Sequence, residues 1–298
     1  MKVALTGSTG LVGKRLVEAL SARGDEVLRL VRRVPRAPGE VEWYTDRGVA
    51  DPHLLEDLDG VVHLAGENIA ARRWTAAQKE RIRASRVDGT RHLVANLSGL
   101  ARRPRVFVSA SAVGFYGDTG DREVDETAGP GTGFLPEVCK AWEGASAPLA
   151  ALGVRLVHSR FGVVLSPEGG ALVKMLTPFR LGLGGPVGSG RQGMSWIALP
   201  DAVGALLHAL DTPSVVGPLN AVAPAPCTNA EFTRALGRAL HRPAVMPLPA
   251  FAARLAFGEV ADDLLLASVR VRPGVLRRTG YPYALPELEP ALKTLLQR

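Results

Sequence analysis

Three glycines stand where a chain can hold a diphosphate. Gly7, Gly10 and Gly13 lie in Thr6-Gly7-Ser8-Thr9-Gly10-Leu11-Val12-Gly13, behind the apolar run Val3-Ala4-Leu5 and ahead of the amphipathic Leu16, Val17, Ala19 and Leu20. The pattern is a strand, a tight turn and a helix start. Lacking side chains, the glycines let the backbone approach a pyrophosphate closely, and the helix start offers unpaired N–H groups and the positive end of its dipole. Gly7, Thr9, Gly10, Leu11, Val12 and Gly13 are therefore the candidate phosphate cradle. Any tight strand-to-helix turn can use such glycines; the strand before and the helix after favour dinucleotide binding.

The next informative position is the end of the second apolar run, Glu26–Val31. A site for NAD places a carboxylate there to take the ribose 2′-OH. This chain has Arg32 and Arg33 instead. Their planar forks suit a 2′-phosphate, so NADP(H) is the expected cofactor. The plainer alternative is a solvated arginine pair after a strand. After the fourth apolar run, Ala65 and Gly66 are small enough to let a ligand sit at a strand's carboxyl end. Glu67 can accept from hydroxyls or amides, or it can simply favour a helix start through the dipole.

These groups need a scaffold, and the first half of the chain supplies one. Apolar runs at Lys2–Leu5, Glu26–Val31, Val41–Tyr44, Val61–Ala65, Arg105–Ser109 and Val154–Ser159 alternate with helical stretches, among them 78–97 and 137–151. Such alternation predicts an α/β fold with a doubly wound parallel sheet covered on both faces. After Arg160 the texture changes to a glycine-rich stretch that includes Gly182, Gly184, Gly185, Gly188 and Gly190. Helices at 200–210 and 229–240 follow, with a short strand at 217–221 between them. We expect a dinucleotide-binding domain over 1–164 and a smaller C-terminal substrate lobe over 165–298, with the chain crossing back to the sheet.

Composition narrows the function classes. The chain has 298 residues, a net charge of +7 and 46% hydrophobic residues, enough for a substantial core. The sequence pI is about 9.8. The arginines are spread out or paired, with no recognised binding motif, so nucleic acid is not expected as a partner. No stretch reaches the roughly 18 apolar residues of a membrane span, and no basic n-region precedes the glycine loop. A cytoplasmic protein without a membrane partner is expected, as a monomer or a homodimer. Cys139 and Cys227 lie far apart and the six histidines are scattered, so neither a disulfide framework nor a metal site is expected.

Further motifs give the chain a family likeness. His63-Leu64-Ala65-Gly66-Glu67-Asn68-Ile69-Ala70 with Arg73-Trp74 resembles one atypical group of the extended short-chain dehydrogenase/reductases, the epimerase-like NAD(P)-binding proteins. These are often labelled nucleoside-diphosphate-sugar epimerases or cell-division inhibitors. Phe161-Gly162-Val163-Val164-Leu165, Pro178 to Gly185, Gly188 to Gln192 with Trp196-Ile197, Asn220 to Pro224 and Thr228 to Phe232 resemble the same group. The resemblance covers nearly the whole chain. It implies a Rossmann-type fold and places Ala65, Gly66, Glu67, Asn68, Ser109 and Val163 beside the cofactor.

The resemblance also implies a catalytic apparatus. Extended relatives use a Ser after the fifth strand and a Tyr and Lys spaced Y-x-x-x-K on the next helix, the Tyr moving a proton while hydride passes to or from the nicotinamide. Ser109-Ala110-Ser111-Ala112-Val113-Gly114-Phe115-Tyr116-Gly117 resembles the strand-end motif with one extra residue, which aligns Ser111 with the catalytic Ser. Lys140 matches the Lys and would hold the nicotinamide ribose. Pro136 occupies the Tyr position, so the usual proton donor is missing, and Tyr116 is the nearest substitute by motif. Two readings stay open. One is an NADP(H)-dependent oxidoreductase or epimerase with an atypical proton donor and an unidentified polar or anionic small-molecule substrate, nucleotide sugars among the candidates. The other is a non-catalytic NADP(H)-binding regulatory protein that senses redox state.

Overall fold

The structure, a computed structural model, describes residues 1–297. The first half runs β1 (Lys2–Thr6), α1 (Leu11–Ala22), β2 (Glu26–Val31), β3 (Glu40–Tyr44), β4 (Gly48–Val49), β5 (Gly60–His63), α2 (Ala76–Ser98) and β6 (Val106–Ala112). It continues through β7 (Glu123–Val124), α3 (Phe134–Gly144), α4 (Ala147–Ala151), β8 (Arg155–Phe161) and β9 (Val163–Leu165). Then follow α5 (Gly170–Arg180), β10 (Gly193–Met194), β11 (Trp196–Ala198), α6 (Leu199–Asp211), β12 (Gly217–Ala221), β13 (Cys227–Thr228) and α7 (Asn229–Leu240). The chain closes with α8 (Ala250–Phe257), α9 (Glu259–Ala261), β14 (Arg270–Val271), α10 (Gly274–Arg278) and α11 (Leu288–Leu296).

Eight strands form one sheet in the order β12-β8-β6-β5-β1-β2-β3-β4, parallel throughout except at the β3–β4 edge. The central strands read as near-continuous apolar runs because both faces are covered. On one face, Leu16 and Leu20 of α1 and Ala202, Ala205, Leu206 and Ala209 of α6 pack on Val3, Leu5, Val62 and Val108. On the other, Leu93, Val94 and Leu97 of α2 and Leu149 of α4 pack on Ala4, Val61 and Phe107. The fold is thus the Rossmann-type α/β sheet with a smaller, mainly helical C-terminal lobe. That lobe has its own core of Leu172, Leu176 and Phe179 from α5, Phe232 and Leu236 from α7, and Leu292 and Leu295 from α11. Strand β12 pairs with β8, so residues beyond 165 also build the sheet's edge.

Local chemistry explains where elements differ from the sequence reading. Strand β5 stops at His63 because the Leu64 and Ala65 N–H groups donate to the Thr6 hydroxyl, each at 3.1 Å. Strand β6 runs past Ser109 to Ala112, since β8 pairs with it as far as Ala112 with Phe161. The single helix expected over 137–151 is two helices. Between them the Ser146 hydroxyl bonds the Glu143 carbonyl at 2.9 Å and His158 Nε2 at 2.8 Å, and Pro148 then starts α4 at a position that needs no N–H partner.

Candidate functional site

The glycine turn joins β1 to α1 and leaves no room for side chains. Gly7 has φ +71°, and a Cβ there would stand 2.9 Å from the Leu64 carbonyl carbon. A Cβ on Gly13 would stand 2.1 Å from the Gly7 carbonyl oxygen. Gly10 caps α1 without any side-chain bond, so the N–H groups of Leu11, Val12 and Gly13 meet no capping side chain. Thr9 and Gly10 are exposed at this helix start. The cradle fits a phosphate: the helix-start N–H groups are uncapped, the dipole is favourable, and Thr9 and Gly10 stand open to solvent.

Thr6 and His63 lock the turn to the end of β5. The Thr6 hydroxyl accepts two backbone N–H groups, which leaves its proton for His63 Nδ1 at 2.8 Å. His63 then carries its proton on Nε2 and donates to Thr90 Oγ1 at 3.1 Å, while Thr90 donates to the Arg86 carbonyl at 2.6 Å. Burial pushes His63 down to about 4, so it is neutral and serves as a fixed strut.

The two arginines after β2 have different surroundings. Arg33 is held by Glu40 through a two-pronged contact, both bonds 2.8 Å, and Glu40 is brought down to about 2 by that pairing and by the Arg36 N–H. Arg32 is exposed and forms no ion pair among the described residues. In the loop after β5, Ala65 is half-buried beside Gly7, Gly66 is exposed, the Glu67 N–H donates to Ser85, and the Asn68 side chain accepts from the Ala70 N–H at 2.9 Å. Asn68 therefore shapes its own loop. Ser109 is fully buried within β6, and Val163 lies on β9, paired with Trp196 of β11.

The catalytic candidates do not converge as a Ser–Tyr–Lys set. On α3 the face turned to β6 carries Leu135, Cys139 and Glu143, one turn apart, and Lys140 stands on the exposed side. The Ser111 hydroxyl donates to Glu143 Oε1 at 2.7 Å. Glu143 is clamped by Arg160 through bonds of 2.8 and 2.8 Å, and Arg160 also donates to the Tyr116 phenol at 2.9 Å. Tyr116 passes its own proton toward Asn220 Oδ1 at 2.8 Å. Its pKa is raised, mainly by burial and against the pull of Arg160, so it stays a protonated strut with both bonding functions occupied. Burial, then Glu143, pushes the Cys139 thiol up to about 11, which keeps it unreactive at neutral pH.

No other phenol takes the vacant role. Tyr281 bonds Asp201, Tyr283 bonds the Val222 carbonyl at 2.8 Å, and Tyr44 lies on β3 under the Arg47 guanidinium. A cleft of about 340 Å³ opens between the two lobes beside Gly114, Leu135 and Pro136, with Asp118, Arg254, Asp262 and Asp263 supplying its charge. The buried Arg160–Glu143 pair and the half-buried Arg86 escaped the sequence reading. The available signals were Arg160, polar within the apolar run of β8, and a Glu four residues after Cys139.

Comparison with known proteins agrees with this architecture. Residues 3–221 match the model of the NAD dependent epimerase/dehydratase family, and residues 248–295 match a domain of unknown function, DUF1731. An epimerase family protein of Mycobacterium bovis is 49% identical over 283 residues, covering 94% of this chain and 93% of its own. The crystal structure of human epimerase family protein SDR39U1 with NADPH is 38% identical, covers 100% of both chains and superposes with a TM-score of 0.92. A nucleoside-diphosphate sugar epimerase structure from Corynebacterium glutamicum is 36% identical, covers 99% of this chain and 58% of its own, and has a TM-score of 0.83. On the family model and these identities, the chain belongs to the NAD dependent epimerase/dehydratase family.

Proposed function

We propose that this protein binds NADP(H) in the glycine turn and presents it to a small polar ligand in the interlobe cleft, without the Tyr–Lys proton transfer of extended reductases. Gly7, Gly10 and the first N–H groups of α1 hold the pyrophosphate. Arg32 takes the 2′-phosphate, with Arg33 behind it. The human relative captured with NADPH, identical to this chain at 38% of positions, supports the choice of cofactor. When bound, the nicotinamide supplies hydride chemistry. This chain's own residues orient the ligand and exclude water.

One observation carries the second half of the proposal. The Ser111 hydroxyl is committed to Glu143, Pro136 stands where the phenol would be, and Lys140 is turned to the exposed side of α3. An enzymatic reading, oxidoreductase or epimerase, draws its support from the cleft. It requires the proton to come from the ligand, from water or from a carboxyl of the cleft such as Asp263. Incubation of the protein with NADPH and a panel of nucleotide sugars and simple ketones, following cofactor oxidation, tests the proposal. We expect turnover far below the roughly 1–1000 per second of ordinary enzymes. Turnover within that range would overturn it.

A further inference from the structure

Arg86 of α2 is a cation without a counter-charge. Its guanidinium donates to the Ile82 carbonyl at 3.2 Å, and no carboxylate of the described residues pairs with it. It is half-buried, and burial lowers its pKa, with the more distant Glu67 carboxylate opposing. A desolvated guanidinium left in this state is costly unless a ligand completes its bonds.

Its location says which ligand. The guanidinium lies against Gly66, where a Cβ would stand 3.3 Å from its central carbon. The missing side chain of Gly66 is thus the room Arg86 occupies. On the other side it lies 5.1 Å from the centre of the Trp142 ring on α3, and the indole N–H there has no partner among the described residues. Arg86 therefore sits between the loop after β5 and α3, in the crevice beyond the carboxyl ends of β5 and β6 where open α/β sheets take ligands. The other cations nearby are spent or turned away: Arg160 is neutralised by Glu143, and Lys140 is exposed.

We infer that the Arg86 guanidinium holds oxygens of the nicotinamide-ribosyl-phosphate half of the cofactor. The assignment rests on the cofactor reading proposed above. Arg86 acts as a positioning residue, fixing the nicotinamide end while the glycine turn and Arg32 fix the adenosine end. A guanidinium is always charged and presents a rigid fork of donors, which suits phosphate and ribose oxygens without any role in proton transfer.

Calorimetric titration with two probes separates the ends. NADPH spans both, whereas adenosine 2′,5′-bisphosphate carries only the adenosine end. Arg86→Met should weaken NADPH binding about tenfold to a hundredfold, the scale of lost charge-assisted bonds, and leave the bisphosphate affinity unchanged. Arg86→Lys, which keeps the charge but loses the fork, should recover part of the loss. It also serves as the test should the methionine variant fail to fold. Unchanged NADPH affinity in a folded variant, or equal losses for both probes, would overturn the inference. A wild-type chain that binds neither probe would instead sink the cofactor reading, and this inference with it.

Discussion

At the scale of single residues, the site is governed by which charges are already paired. Arg33 is bound to Glu40 and Arg32 is not, so the two arginines after β2 are unequal. Arg32→Ala should reduce NADPH affinity about tenfold to a hundredfold and leave NADH affinity nearly unchanged, as read by calorimetry. Tyr116 is the other instructive residue. Tyr116→Phe keeps the ring but strands Arg160 Nη1 and Asn220 Oδ1, so chemical denaturation should show a loss of about 1–3 kcal/mol, while NADPH affinity is retained. A lost affinity with stability intact would make this phenol part of the ligand site. His63 sets a pH dependence. Its folded pKa, about 4, lies below the unfolded value near 6.5, so the unfolded chain binds the proton first as pH falls. Stability from this residue is complete above about pH 7 and falls by on the order of 3 kcal/mol by pH 4. Denaturant midpoints measured across that range should show the decline, and His63→Gln should flatten it.

At the scale of elements, the turn between β1 and α1 is the part most open to a reader of the sequence. Glycine spacing, an apolar run before and an amphipathic run after are local signals, and they placed the turn where the structure has it. The β2 strand at Glu26–Val31 and the α7 helix at Asn229–Leu240 stand where the sequence reading placed them, and the Thr228–Glu231 capping box fixes where α7 begins. Helix α3 was not. Which of its residues faces β6 depends on a phase that shifts by about 100° per position, and Y-x-x-x-K spacing without its Tyr gives no anchor for that phase. Lys140 and Cys139 are neighbours in sequence, yet one is exposed and the other buried. Nor does local sequence reveal that Arg160 and Glu143, on separate elements, neutralise one another. At this scale Gly13→Val is decisive. A side chain there collides with the Gly7 carbonyl, so NADPH binding should be lost in a protein whose far-UV circular dichroism is unchanged.

For the whole molecule, two cores are joined by a chain that returns to the sheet. Strand β12 and helix α6 bind the far half to the near one, and Tyr283 ties the segment after α10 to the Val222 carbonyl just past β12. The cleft at this junction is walled on one side by Leu135 and Pro136 and on the other by Leu266, Ala267 and Val269. A ligand gripped by the glycine turn and Arg86 binds only the folded chain, so saturating NADPH should raise the unfolding temperature of the whole chain. At a hundred times its dissociation constant the gain is about 2.7 kcal/mol. The most direct test of the central claim is a pair of calorimetric titrations of the wild-type protein, one with NADPH and one with NADH. The account predicts a single NADPH site per chain, at least about tenfold tighter than that for NADH. Equal affinities, or no heat with NADPH, would contradict it.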